Sequence, residues 1–299
     1  MTSAKIIADS LSPDGVRLTT MEVTFHRFVL AELNTHRAFS RNSASSRAIP
    51  VGKQLSKVKH NRAFPIEWPR EQPGMSGGSE LEGDDLSDAR YMFGKVWDST
   101  IHHVEEYLEK MGEKYGDEAK SHTLHKSLIN RLLEPFQWHT AIISSTEWEN
   151  FFAQRCSPFA QPELRDAAYL MRKVYESETP ATMTVPRLDI FSQTGWHLPY
   201  ISQDDIEWAL EKYPNWILAL CQVSVARCAR VSYLTHDGVR DPSEDIALFN
   251  KLVGATPPHW SPLEHVARPA RQGEEVLGNF EGWVQLRHHD LSLHNLGDY

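Results

Sequence analysis

The sequence predicts a helix-rich α+β fold. Apolar residues recur at helical spacing over long stretches, most plainly at Tyr91, Met92, Val96, Trp97, Ile101, Val104, Leu108 and Met111. The alternation expected of a half-buried strand is confined to Val16 and Leu18 and, after a one-residue change of phase, to Met21, Val23 and Phe25. No repeat of about 20 to 50 residues is present, which excludes solenoids and propellers.

Taken in order, residues 16–25 read as a half-buried strand or hairpin, and a helix over residues 26–34 leads straight into a polar segment at 36–47. Residues 49–84 carry Pro50, Pro65, Pro69, Pro73 and the Gly77-Gly78 pair with little periodicity, and predict a long surface excursion. The helical period over residues 86–114 resumes at Leu124, Leu128, Ile129 and Leu132 and stops before Pro135, which places Arg131 in a last turn. Thr146 and Glu149 have the spacing of a capping box for a helix carrying Phe151, Phe152 and Arg155. Pro162 opens a helix with Leu164, Ala168, Met171 and Tyr175. Residues 179–202 form an extended, Pro-rich connection. Helices follow at residues 204–213, 216–228 and 243–253, the last closed by Gly254 at the C′ position.

Composition narrows the function. A chain of 299 residues can bury a large core, and a hydrophobic fraction of 40% excludes a disordered protein. No window approaches the roughly 18 apolar residues of a membrane span. Asp9 comes too early for a secretory apolar region, so a cytoplasmic protein is expected. Cys156, Cys221 and Cys228 contain no CxxC pair and support neither a disulfide framework nor a zinc knuckle. Cys156 follows Arg155, whose guanidinium could activate the thiol; a buried packing thiol is the alternative. A net charge of −9 argues against polymeric nucleic acid as a partner. His102-His103, His122 with His125, and His288-His289 lack a recognised ligand pattern, and no metal site is expected.

The segment His36-Arg37-Ala38-Phe39-Ser40-Arg41-Asn42-Ser43-Ala44-Ser45-Ser46-Arg47 concentrates guanidiniums and hydroxyls, with Phe39 its one large apolar side chain. Arginine forks match phosphate or carboxylate bidentately, and serine hydroxyls add short-range donors, so the segment reads as a site for a nucleotide-like anion. A solvated Ser/Arg loop is the plain alternative.

The pattern HRxxSxNxxSxR resembles the RHRxxSxNExSxRY signature of the flavin-dependent thymidylate synthases. His36, Arg37, Ser40, Asn42, Ser45 and Arg47 match it, while Thr35, Ser43 and Ala48 stand where that family has Arg, Glu and Tyr. Ala229-Arg230-Val231-Ser232-Tyr233 and Ser261-Pro262-Leu263-Glu264-His265 resemble the family's ARVSF and TPFEH segments. Asn150-Phe151-Phe152-Ala153-Gln154-Arg155 resembles NFLNLR, and Arg131-Leu132-Leu133-Glu134-Pro135 resembles ARxVLP. In the family the ARVSF and PFEH segments precede the signature, whereas here they follow it, which implies a circular permutation. Gly282 to His289 faintly resembles the family's approach to the signature, so the region after residue 266 is either a degenerate second copy or an added terminal element.

The resemblance implies a single thymidylate synthase-like domain over residues 1–299 with a small mixed or antiparallel sheet. Residues 1–200 would hold the signature and the 49–84 insertion, and residues 201–299 the permuted segment. The implied reaction is methylation of dUMP to dTMP, with methylenetetrahydrofolate giving the carbon and FAD, reduced by NADPH, the hydride. Residue by residue, Arg155 is the catalytic activator of the pyrimidine, where an arginine beside a developing enolate acts as the charge forms. Arg131 contacts the base, and Ser45 and Arg47 bind the nucleotide. His36, Arg37, Ser40, Asn42, Ser232 and His265 face the cofactors. The alternatives are a helix-face salt bridge for Arg155, a helix cap for Ser232 and a core histidine for His265. Ser144 and Thr146 replace a flavin-contacting Asn and Arg of the family, and Lys53, Lys57 and Arg287 are the candidates to restore lost positive charge. A homotetramer with sites built across subunits is implied. A related activity such as hydroxymethylation of dUMP, or a non-catalytic nucleotide-binding protein, are the rival readings.

Overall fold

Ser3–Leu11 (β1) and Arg17–His26 (β2) form an antiparallel hairpin whose turn is made by Gly15 at φ +83°. This computed structural model describes residues 1–182, 195–235 and 241–289. The chain continues through α1 (Leu30–Leu33), β3 (Ser40–Ser43), α2 (Val51–His60), α3 (Gly83–Tyr115), α4 (Ala119–His122), α5 (Lys126–Leu132) and β4 (Trp138–Ser145). It then forms α6 (Glu149–Arg155), α7 (Pro162–Ser177), β5 (Ala181–Thr182), α8 (Gln203–Lys212), α9 (Trp216–Arg230), α10 (Pro242–Val253), β6 (Ala267–Pro269) and β7 (Trp283–Gln285). The fold is helix-rich α+β, with a five-stranded sheet in the order β3-β4-β2-β1-β5 and a two-stranded β6-β7 ribbon. All neighbours are antiparallel except β1 and β5.

Both faces of the sheet are covered, which explains the change of phase in β2. Met21, Val23 and Phe25, with Ala141 and Ile143 of β4, pack under Trp148, Phe151 and Phe152 and under Leu164, Ala168 and Met171 of α7. Leu18 faces the other way, against Ala267, Phe280 and Trp283, and Ile142 meets Cys228 and Val231 at the end of α9. One strand therefore carries both apolar sets, and its hairpin partner lies N-terminal to it. A seven-residue helix such as α6 has no stability of its own. Burial of each large aromatic contributes about 2 to 3 kcal/mol, so the anchors Trp148, Phe151 and Phe152 hold it in place.

Several expectations change. The 49–84 excursion contains α2, whose Leu55 and Val58 pack on Ile101 and Val104 of α3 and on Ile129. The long helix is confirmed as α3 and stops at Gly116, at φ +53°, so Leu124 to Leu132 belongs to separate turns ending in α5. The Thr146–Glu149 capping box does not form: Trp148 is the N-cap, and Thr146 Oγ1 accepts from the Glu281 amide at 3.0 Å. Gly254 closes α10 at φ −76° in the right-handed region, where a Cβ would lie 2.9 Å from the Asn250 carbonyl. Part of the 179–202 connection lies outside the described residues. Among the described residues no helix is long and apolar enough to cross a membrane. None of the three cysteines is in a disulfide, and burial raises the Cys156 pKa, contrary to an activated thiol.

Candidate functional site

The polar segment is placed by hydrogen bonds from three directions. Ser40 to Ser43 form β3, an edge strand on β4, and the chain then turns as the Ala44 amide donates to the Thr140 carbonyl at 2.9 Å. The Ser45 amide donates to the Ser232 carbonyl at 3.0 Å, which joins the signature to the end of α9. Asn130 of α5 holds the turn from the far side, its Nδ2 donating to the carbonyls of Ser46 and Ile49, both at 2.9 Å. Because Asn130 is clamped to this turn, its neighbour Arg131 is carried to the same place.

The result is a cavity of about 350 Å³ lined by the 41–47 segment together with Arg27, Leu30 and Arg131. Three residues expected at the substrate, Ser45, Arg47 and Arg131, thus meet around one space. Two more arginines join them. Arg27 donates to His139 Nδ1 at 3.0 Å and pairs with Glu134 at 3.2 Å. Arg41 donates from one terminal nitrogen to the carbonyls of Leu33 and His36, at 3.3 and 3.1 Å. Among the described residues Arg41, Arg47 and Arg131 have no carboxylate in salt-bridge contact. Guanidiniums and hydroxyls around a cavity of this size suit an anionic small molecule.

Arg155 lies elsewhere. It does not line the cavity of its own chain; its Nε donates to His36 Nε2 at 2.8 Å, and its terminal nitrogens reach Thr35 Oγ1 at 3.2 Å and the Glu32 carboxylate. The salt bridge allowed for at this position is therefore present. His36 stacks on Phe39 and meets Phe151 edge-on, so the one large apolar residue of the segment anchors the imidazole to the core. Burial, then the charges of Arg155 and Arg41, push the His36 pKa down. Arg37 is exposed.

The residues assigned to cofactors are divided. Ser40 is buried and bonded to Asn279 at 3.1 Å and Gln285 at 3.0 Å. Asn42 is spent on the Cys228 carbonyl at 3.0 Å and Ser261 at 3.1 Å. His265 is a core histidine with no exposed surface, its Nδ1 on Ser144 Oγ at 2.8 Å. These three side chains hold the C-terminal segment onto the sheet, where a cofactor contact was expected of them. Ser232 meets the signature through its carbonyl. Arg287 is taken by Glu264, and Lys53 caps the Leu234 carbonyl at 3.1 Å.

A buried polar chain accompanies His265: Ser144 bonds Thr20 at 2.6 Å, Thr20 bonds His197 Nε2 at 2.7 Å, and His197 Nδ1 bonds Ser10 at 2.8 Å. Burial pushes His197 and His265 down to about 3, and the same cause, with Arg27 beside it, takes His139 to about 3. Sequence reasoning missed Arg27 and Asn130, and read Arg41 only as part of the polar segment. Strand alternation was the available signal for Arg41, since residues 41 and 43 must point away from the face of Ser40 and Asn42. On the exposed surface of α3, His102, His103 and Glu106 each bring one ligand atom within 4.8 Å of the others.

No curated protein sequence matches the chain. Among solved structures, the UMP/dUMP methylase PolB from Streptomyces cacaoi, bound with 5-Br UMP, is 11% identical with a TM-score of 0.43, over 58% of this chain and 88% of that one. Thymidylate Synthase X from Helicobacter pylori, solved with FAD and dUMP, is 20% identical with a TM-score of 0.31, over 53% of this chain and 67% of that one. Residues 17–181, which carry the signature, the cavity and Arg155, match the thymidylate synthase complementing protein family, and the chain belongs to it.

Proposed function

We propose that this chain is a cytoplasmic, flavin-dependent enzyme that methylates dUMP to dTMP. The observation that carries the reading is the convergence of Ser45, Arg47 and Arg131 on one cavity, from a turn and a helix far apart in sequence. There the Arg47 guanidinium holds the phosphate of the nucleotide, the Ser45 hydroxyl fixes its orientation, and Arg131 meets the base. When bound, FAD reduced by NADPH supplies the hydride and methylenetetrahydrofolate the carbon. Of the residues assigned to the cofactor, the half-buried His36 and Ser232 and the exposed Arg37 have surface to offer it, which fits one edge of such a group. Ser40, Asn42 and His265 take no part in that contact.

Arg155 serves the pyrimidine in this reading through a homotetramer with shared sites, where it meets a nucleotide held in another copy's cavity. Exposed Leu124, Leu128 and Leu132 beside the cavity residue Arg131 support a covered surface there. The chain is a single domain and a circular permutation: residues 201–299 supply the blocks that precede the signature elsewhere in the family. The bonds from Ser45 to Ser232 and from Asn42 to Cys228 and Ser261 support this order.

The test is the absorption spectrum of the purified protein, followed by mass analysis of the product from dUMP, methylenetetrahydrofolate and NADPH. Flavin bands and a product heavier by one CH2 are expected. A colourless protein that takes up no FAD overturns the flavin reading, and a product heavier by CH2O makes the reaction hydroxymethylation. A non-catalytic nucleotide-binding protein is the second reading, favoured by the commitment of Ser40, Asn42 and His265 to the core; it requires dUMP binding without turnover.

A further inference from the structure

Beside the anion cavity lies a recess of different chemistry. Arg27, Ala44 and Ser46 line both, so the two share a wall, and Gln54, Asn130 and His139 are among the residues that line the recess alone. The recess has a volume of about 10 Å³, room for one polar group but not for a ring. The charge on its wall is matched, since Arg27 pairs with Glu134 at 3.2 Å and burial keeps His139 neutral. The cavity therefore suits an anion, and the recess an uncharged polar edge.

Two amides on the recess are uncommitted. Gln54 of α2 is 5% exposed, and among the described residues its side chain makes no hydrogen bond. Asn130 is 1% exposed, with its Nδ2 spent on the carbonyls of Ser46 and Ile49, both at 2.9 Å, and its Oδ1 without a partner among the described residues. Those two bonds fix the Asn130 amide, so its oxygen stays an acceptor and cannot be exchanged for a donor by a flip. Buried amides are almost always hydrogen-bonded, and two without partners on the wall of a ligand cavity point to a ligand group that completes them.

Resting on the pyrimidine-nucleotide reading above, we propose that Gln54 reads the imide edge of the base and makes the site specific for uracil. The phosphate stays with Ser45 and Arg47, the ring lies in the cavity, and only its edge enters the recess. The Gln54 carbonyl accepts from N3–H while its NH2 group donates to the adjacent ring carbonyl, two parallel bonds between flat amides. Asn130 Oδ1 sets the polarity, because the base must turn an N–H toward it. Cytosine carries a lone pair at N3, which opposes that oxygen and forces the Gln54 amide to flip.

Titration calorimetry of the protein with dUMP, dCMP and N3-methyl-dUMP tests this. Both analogues should bind at least about five-fold more weakly than dUMP, the low end of what one good two-point pair discriminates. Gln54→Leu should weaken dUMP by a similar factor, while N3-methyl-dUMP, which has already lost the pair, changes less. The wild-type comparison decides the matter even where that variant fails to fold. A smaller wild-type penalty for either analogue, or a folded Gln54→Leu protein that holds dUMP as tightly as the wild type, overturns the proposal and leaves the nucleotide reading standing; absence of binding by all three nucleotides overturns both.

Discussion

Arg155 donates from all three of its guanidinium nitrogens, and the bond to His36 has the largest chemical consequence. An Nε–H pointing at His36 Nε2 requires a lone pair there, so the imidazole is neutral with its proton on Nδ1. Protonation would set two donors and two positive charges against each other. Arg155 is thus a positioning residue for His36, whatever it contributes to another subunit's site. In Arg155→Ala the larger Coulombic opposition is removed and only that of Arg41 is left, while Glu32, which favours the imidazolium, remains, so the His36 pKa should rise and the fixed tautomer should be lost. Ring-nitrogen NMR across a pH titration reads both; an unchanged tautomer and pKa would sink this role. Much at this scale was legible in the sequence, because Ser45, Arg47 and Arg131 are polar side chains whose donors suit an anion wherever the chain places them. Ser40, Asn42 and His265 were not, since the same donor groups serve equally to satisfy a buried interface, and only their partners distinguish the two uses.

The elements that sequence periodicity located are those buried on one side. In α3 and α7 a single apolar stripe meets the core, so the 3.6-residue period survives in the sequence. β4 is covered on both faces and fills part of its inner surface with His139, Ser144 and Ser145, which hydrogen-bond in place of apolar packing and erase the period-2 signal. α2 was hidden for a related reason, having Gln54 among its buried positions. Capping failed as a guide at Thr146, where a distant amide outcompeted the local one. The C-terminal helices are joined by charges that no spacing reveals. Asp245 of α10, with no exposed surface, accepts from Arg227 Nε at 2.9 Å and Arg230 Nε at 2.7 Å, while Arg227 also grips Asp205 of α8 through two bonds of 2.6 Å. Removing one member strands buried charge on α9, which costs about 3 to 5 kcal/mol. Asp245→Ala should therefore lower the urea midpoint sharply at unchanged slope; a loss below about 1 kcal/mol would mean that the network is solvated and carries no such strain.

Across the whole molecule, the contact between the two halves of the chain includes, beside its apolar clusters, a layer of neutral imidazoles and hydroxyls. Ser10, Thr20 and Ser144 on β1, β2 and β4 meet His197 and His265, which enter from the C-terminal half. Among the described residues His265 Nε2 is buried without a partner, so the layer offers no acceptor there for an additional proton. His139, His197 and His265 all sit at about 3 against an ordinary value of 6.5, and burial moves His26 and His36 the same way. A depressed native pKa means that the unfolded chain binds protons the native chain refuses. Stability is therefore complete above about 6.5 and is lost as pH falls from there toward 3, with a slope of up to about 1.4 kcal/mol per unit for each histidine. Three such groups act together over the same window and can remove about 4 kcal/mol per unit, a large share of the roughly 5 to 15 kcal/mol that holds a domain together. The chain should accordingly unfold well above the native pKa of these histidines, with the C-terminal half released from the sheet. Urea midpoints should be flat from about pH 8 to 7 and fall steeply toward about pH 5, and His197→Gln should flatten that fall by about one proton. Stability that holds constant down to about pH 5 would show that the histidine layer takes up protons while folded, and the account of it as a neutral, proton-refusing interface would then be wrong.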